Sequence, residues 1–296
     1  MKVFLAGGES RHWCYTGGLD VDIFLAGGIS GNLKPLWNEV AKGKGYDESM
    51  KVFLAGNWQG SNVYVEDEHK KQKPFILESF FYADETTEKL IPYFGDFLLD
   101  SGAFTFMQGS SSHCNWDEYI ERYANFIVRN DIKKFFELDI DSVVGYDKVK
   151  EFRAKLEKLT NRPCIPVWHK SRGIAEWKKM CDEYNYVAIG GIVSKEIVPE
   201  QYKAFPHMIA EAHRKGAKVH GLGFTNLTLL PKIHFDSVDS TAWTTGNRFG
   251  FVYKFNGTTM VKRDCPKGKR LGDPRKVAII NYNEWIKFQK YAETNL

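Results

Sequence analysis

The stretch FLLDSGAFTF, residues 97–106, begins as an apolar run and stops abruptly at Asp100-Ser101-Gly102. A short continuous apolar run bounded by turn-forming residues is the signature of a strand buried on both faces. An acid just past the end of such a strand either caps a following helix or faces a reactive site. Working outward, similar runs recur: GDFLLD (95–100), KFFELDID (134–141), CIPVWH (164–169), YVAIGG (186–191), KVHGLG (218–223) and FDSVDS (235–240). Amphipathic helical segments lie between them, WDEYIERYANFIVRN (116–130), YDKVKEFRAKLEKLT (146–160), IAEWKKMCDEY (174–184) and PEQYKAFPHMIAEAHRKG (199–216), the last closed by Gly216.

This alternation predicts parallel strands joined by crossover helices, an α/β fold. The number of units favours a closed TIM-like (β/α)8 barrel over an open sheet, and no Gly-x-Gly-x-x-Gly turn marks a dinucleotide fold. After residue 250 the rhythm gives way to a hairpin with an Asn-Gly turn (251–264), a basic loop and a terminal helix from Tyr282. One barrel domain over 1–296 is expected, with 1–50 an N-terminal extension and 250–296 a C-terminal elaboration. The extension carries a repeated phrase, KVFLAGGES (2–10) and DIFLAGGIS (22–30), whose third version is KVFLAGNWQG (51–60). The spacings are unequal and the phrase does not recur, so a solenoid is excluded. The third version is expected to be the core strand, leading into a helix over PFILESFFYA (74–83).

With 43% hydrophobic and 15% aromatic residues, the chain has the composition of a folded globular protein. Its net charge of +4 is compatible with a nucleic-acid partner without requiring one. Five scattered cysteines with no CxxC pair argue against a disulfide framework or a zinc ribbon, and for a reducing, cytoplasmic setting. No signal peptide or membrane span is read.

In a barrel of this kind reactive groups gather at the C-terminal ends of the strands. Those ends here carry Asp100, Asp139 and Asp141, His169, Gly190 and Gly191, Gly221 and Gly223, and Asp236 with Asp239. Collected carboxylates serve metal binding, acid–base work or nucleophilic attack. A lone Asp is more often a cap, but Ser101 is available to cap in place of Asp100. Strict alternation sends Asp139 and Asp141 to one face, as a binding pair. His169 reads equally as an ordinary buried histidine.

The ordered set LDSGAF, ELDID, AIGG, HGLG and FDSVDST resembles the tRNA-guanine transglycosylase superfamily, most of all its DNA-modifying, DpdA-type 7-deazaguanine branch, over residues 51–245. IPVWHKSRG (165–173) is similar to a stretch of that branch. The resemblance implies a pentosyltransferase that replaces guanine in DNA with a 7-deazaguanine through a covalent Asp–glycosyl intermediate. It gives Asp100 the acid/base role and places the nucleophile at Asp239 or Asp236, with Asp239 favoured as nearer the strand end. It puts Asp139 or Asp141, Gly190 and Gly191 against the base, and the strand-end residues Ser101, Gly102, His169, Gly221 and Gly223 complete the candidate substrate pocket. Lys262, Arg263, Lys267, Lys269 and Arg270 are the candidates for the phosphate backbone. The zinc ligands of the tRNA enzymes have no counterpart beyond Cys265, so no cofactor is expected. The alternatives are the same exchange on tRNA, a catalytically inactive nucleic-acid-binding barrel, and a metal-dependent barrel hydrolase.

Overall fold

The computed structural model describes residues 2–6, 11–15, 22–26, 50–55, 66–102, 105, 114–249, 251–264 and 273–296. Strands β1 (Lys2–Ala6), β2 (Arg11–Tyr15) and β3 (Asp22–Ala26) form a small sheet of their own in the order β1-β3-β2. The main fold starts at β4 (Lys51–Ala55), followed by helix α1 (Glu66–Gln72), β5 (Phe75–Ser79), α2 (Glu85–Leu90) and β6 (Asp96–Asp100). Then come α3 (Trp116–Arg129), the single-turn α4 (Asp141–Val144), α5 (Tyr146–Thr160), β7 (Val167–Trp168) and α6 (Gly173–Glu183). The main unit continues through β8 (Tyr186–Ile189), α7 (Phe205–Lys215), β9 (Lys218–Gly221), β10 (Ser237–Ser240) and α8 (Ala242–Phe249). An antiparallel hairpin, β11 (Phe251–Phe255) and β12 (Met260–Asp264), and the long helix α9 (Pro274–Asn295) follow.

The large sheet has the order β6-β5-β4-β10-β9-β8-β7, with every neighbouring pair parallel. It curls in the manner of a TIM-like barrel. Two parallel bridges, Leu99 with Phe135 and Phe136 with Ile165, link its edge strand β6 to the segment leading into β7. Phe53, Leu77, Leu98, Phe136, Ile165, Val167 and Ala188 fill the interior as one buried cluster. The helices cover the outer face. In α3, Tyr119, Ile120, Tyr123, Ala124 and Ile127 form the buried stripe that a 3.6-residue period requires, and the Asn115 side chain accepts the Glu118 amide at its start.

The third copy of the repeated phrase is the one in the large sheet, as β4 between β5 and β10, while the first two copies pair in parallel as β1 and β3. Three expectations are corrected. The helix read over 74–83 is strand β5, with Ile76, Leu77 and Glu78 buried in succession between β4 and β6, as in a strand covered on both faces. KFFELDID is not a continuous strand. Ladder pairing is confined to Phe135 and Phe136, the Ile140 amide donates to the Leu138 carbonyl in a tight turn, and Asp141 opens α4. The run read as one helix over 199–216 divides into a 3-10 turn, Pro199–Ala204, and α7, whose start accommodates Pro206 and whose end is Gly216 at φ 93°.

Candidate active site

Asp100 ends β6, and its carboxylate folds back to accept the Gly102 amide at 2.9 Å. Gly102 adopts φ +83°, a left-handed conformation that suits glycine, and a Cβ there would meet Phe81 Cβ at 2.7 Å. The local turn is therefore closed by Asp100 itself. Ser101, expected in the pocket, is fully buried, and its carbonyl accepts the Tyr119 hydroxyl at 2.6 Å against α3. Burial raises the Asp100 carboxyl to about 7, with the negative charges of Asp139 and Asp239 adding to it and the Gly102 amide opposing. Asp139 and Asp239, from distant parts of the chain, thus both act on Asp100 at the end of the sheet.

Asp139 is buried, and its Oδ2 lies 3.0 Å from His169 Nε2. On the other side of the ring, His169 Nδ1 lies 3.1 Å from Glu196 Oε2, whose second oxygen accepts the Ser171 amide at 2.7 Å. Burial opposes charge on this imidazole, but its hydrogen bonds to two carboxylates outweigh it and lift His169 to about 10. The same contact, with the Ser171 amide, lowers Glu196 to about 2 against its own burial. Asp139, His169 and Glu196 therefore form an anion–cation–anion row. Gly190 makes room for it: a Cβ there would lie 2.7 Å from Val167 Cγ1 and 3.0 Å from His169 Cε1. Gly191, at φ +77°, borders Glu196 in the same way.

Asp239, in β10, is buried, and its Oδ1 accepts the Gly223 amide at 2.6 Å and His220 Nε2 at 3.2 Å. His220 is wholly inside the barrel, edge-on to Phe53 and tilted against Phe136. Its Nδ1 lies 2.6 Å from Ser237 Oγ, which lies 2.5 Å from the Tyr186 hydroxyl.

Not every expected residue joins this group. Asp236 precedes β10, so it sits at the opposite end of the parallel sheet, where it accepts His213 Nε2 and the Val219 amide, each at 2.7 Å. Its role there is to bind β9 and α7, not to face the acids. Asp141 is also diverted. The strand breaks before it, and its two oxygens accept Arg172 Nε and Nη2 at 2.7 and 2.6 Å. Gly221 packs under the Phe235 ring, to which a Cβ would approach within 3.0 Å, so its want of a side chain serves the core. Lys262 and Arg263 are exposed on β12, with Lys262 4.4 Å above the Phe251 ring and 2.9 Å from Asp264. Lys267, Lys269, Arg270 and Cys265 lie outside the described residues.

Sequence reasoning missed Glu196, His220 and Glu137. Glu196 sits in a connection with no motif around it. His220 lies within HGLG, where only the glycines carry a pocket signal. Glu137 is fully buried and holds Arg153 at 2.6 Å, Arg172 at 2.6 Å and the Val167 amide at 2.8 Å. Alternation in ELDID sets Glu137 on the same face as Asp139 and Asp141, so it gave no sign that Glu137 is the buried partner of two arginines.

Among the described residues, no three His, Cys, Asp or Glu side chains are grouped to hold a metal ion. Nor is any helix there long and apolar enough to cross a membrane. No family model matches the chain, and no curated protein matches it. Similar solved structures include a protein of Aquifex aeolicus VF5, at 12% identity and TM-score 0.44, covering 72% of this chain and 90% of that one. The carboxyl transferase domain of Rhizobium etli pyruvate carboxylase, at 12% identity and TM-score 0.42, covers 92% of this chain and 54% of its own. An enolase protein from a Sargasso Sea environmental sample is 10% identical with TM-score 0.37, covering 65% and 53%. Likeness at this level assigns no activity.

Proposed function

We propose that the chain is a base-exchange glycosyltransferase of the tRNA-guanine transglycosylase type, replacing guanine in DNA with a 7-deazaguanine in the cytoplasm. The observation that carries this reading is the meeting of Asp100, Asp139 and Asp239, with Asp100 raised to about 7 by burial first and then by the charges of the other two. In the first step an oxygen of Asp239 bonds to C1′ as the C1′–N9 bond breaks, its electron pair leaving with guanine. Asp100, in its acid form, supplies the proton that the departing base takes up. In the second step N9 of the 7-deazaguanine displaces the Asp239 ester, and its proton passes to Asp100. Atoms and charge balance over the cycle without a further reactant. Asp139, fixed by His169, is placed to accept the N1–H and exocyclic amine of the base. A target in a duplex must leave the stack, which costs a few kcal/mol. Lys262 and Arg263 are proposed to meet the backbone.

The test is mass spectrometry of nucleosides from DNA and tRNA of cells expressing the wild type or Asp239→Asn, supplied with 7-deazaguanine bases. A 7-deazaguanine nucleoside in DNA, present only with the wild type, is expected. Its appearance in tRNA alone moves the activity to tRNA, and its absence from both removes the proposal.

A further inference from the structure

Asp239 is the end of a buried row of polar groups that runs through the barrel interior: Tyr186 hydroxyl, Ser237 Oγ, His220 and Asp239 Oδ1, at 2.5, 2.6 and 3.2 Å. The acid/base chemistry described above makes no use of the first three. They come from three neighbouring strands, β8, β9 and β10, whose register sets Ser237 opposite His220. Ser237 and His220 are buried, and the Phe53 and Phe136 rings flank the imidazole. A polar row in such a place is retained only if every hydrogen has a partner.

We propose that Tyr186, Ser237 and His220 are positioning residues, a one-way donor chain that presents Asp239 to the sugar with Oδ2 as the attacking oxygen. The inference deepens the exchange reading and rests on it for the identity of the substrate. The direction of each bond follows from its far end. A carboxylate oxygen only accepts, so His220 Nε2 carries hydrogen towards Asp239. In that tautomer Nδ1 accepts, so the Ser237 hydroxyl donates to it. The Ser237 oxygen in turn accepts the Tyr186 hydroxyl. Burial holds that phenol above its ordinary range, which keeps the first donor protonated. At the other end, His220 and the Gly223 amide both occupy Oδ1. Gly223 can offer that amide because it adopts φ +70°. Two donors on one oxygen fix the plane of the carboxylate, and Oδ2 is left for the carbon to be attacked. Preorganisation of this kind raises kcat without tightening substrate binding, since a nucleophile misplaced by about 1 Å loses on the order of 100-fold in rate.

The experiment uses the full chain labelled with 15N-histidine, the His220 signals being those lost in His220→Gln. The expected spectrum shows hydrogen on Nε2 and a bare Nδ1. Hydrogen on Nδ1 alone, or on both nitrogens, overturns the donor chain. In parallel, exchange of labelled guanine into DNA is followed for Ser237→Ala and for the milder Tyr186→Phe. A fall of about 10-fold in kcat for Ser237→Ala, with KM for DNA within about twofold, is expected. A smaller fall of the same kind is expected for Tyr186→Phe. Wild-type kcat in both, or a loss confined to KM, overturns the inference. Should wild type exchange no guanine while His220 shows the Nε2–H form, the exchange reading fails and the hydrogen-bond direction stands.

Discussion

At the scale of single residues, Asp100 is the group whose chemistry its surroundings change most usefully. Its carboxyl, raised by burial and by two neighbouring acids to about 7, binds a proton more tightly in the folded protein than in the unfolded chain. By linkage the folded state holds the extra proton between about pH 4 and 7, so stability falls as pH rises through that window. Asp100→Asn removes the titration. It is expected to abolish exchange yet be more stable than wild type at pH 8, by roughly 2–4 kcal/mol, with the gap narrowing as pH falls and closing only near pH 4. Thermal denaturation at the two pH values checks this, and a gap that does not depend on pH refutes it. His169 acts in the same direction over a higher pH window. Its raised value of about 10 gives stability that is complete below the ordinary histidine range near 6.5 and is lost as pH rises through about 10. Glu196→Gln removes one of the two carboxylates that hold the imidazolium, so the His169 midpoint is expected to fall by at least about 1 unit. An NMR titration reads it directly, and an unmoved midpoint contradicts the row.

At the scale of elements, the strand ends are where sequence and structure agree most and also part company. The apolar runs at 95–100, 186–191 and 235–240 announced their strands, and Asp100, Asp139, His169, Gly190 and Asp239 were legible as a set because strand ends on one side of a parallel sheet converge. Alternation failed at ELDID, since a tight turn after Leu138 sends Asp141 to Arg172. It also had no means of showing that Asp236 lies before its strand and Asp239 within it. Glu196 was invisible because its partner, His169, is 27 residues away and no local pattern joins them. Gly190 gives an element-level prediction. In Gly190→Ala the new methyl meets Val167 and the His169 ring, so the strand end is expected to lose about 1–3 kcal/mol. Denaturation in urea tests it, and wild-type stability would show that the row of Asp139, His169 and Glu196 has room to yield.

At the scale of the whole molecule, the curled sheet separates two ends with different duties. One end carries the three interacting acids. The other is tied by structural polar contacts: Asp96 with Lys51 and Lys134, Asp236 with His213, and Gln289 of α9 bonded to the backbone of β4 and β5. Glu137, Arg172, Arg153 and Asp141 bind the β6–β7 side of the sheet to its helices, with the Glu137, Arg153 and Arg172 side chains almost wholly out of water and Asp141 partly exposed. Removing one member of such a network strands the charge of the others. Arg172→Ala is therefore expected to destabilise the protein by about 3–5 kcal/mol. A calorimetric midpoint equal to that of wild type would refute that role.

The most direct test of the account is to trap the covalent intermediate. The protein is incubated with guanine-containing DNA, quenched in acid, digested, and the peptide bearing Asp239 weighed. A deoxyribose-linked adduct is expected on Asp239 in wild type, absent from Asp239→Asn and retained in Asp236→Asn. An adduct lost with Asp236→Asn but kept with Asp239→Asn, or exchange that proceeds in Asp239→Asn at the wild-type rate, would contradict it.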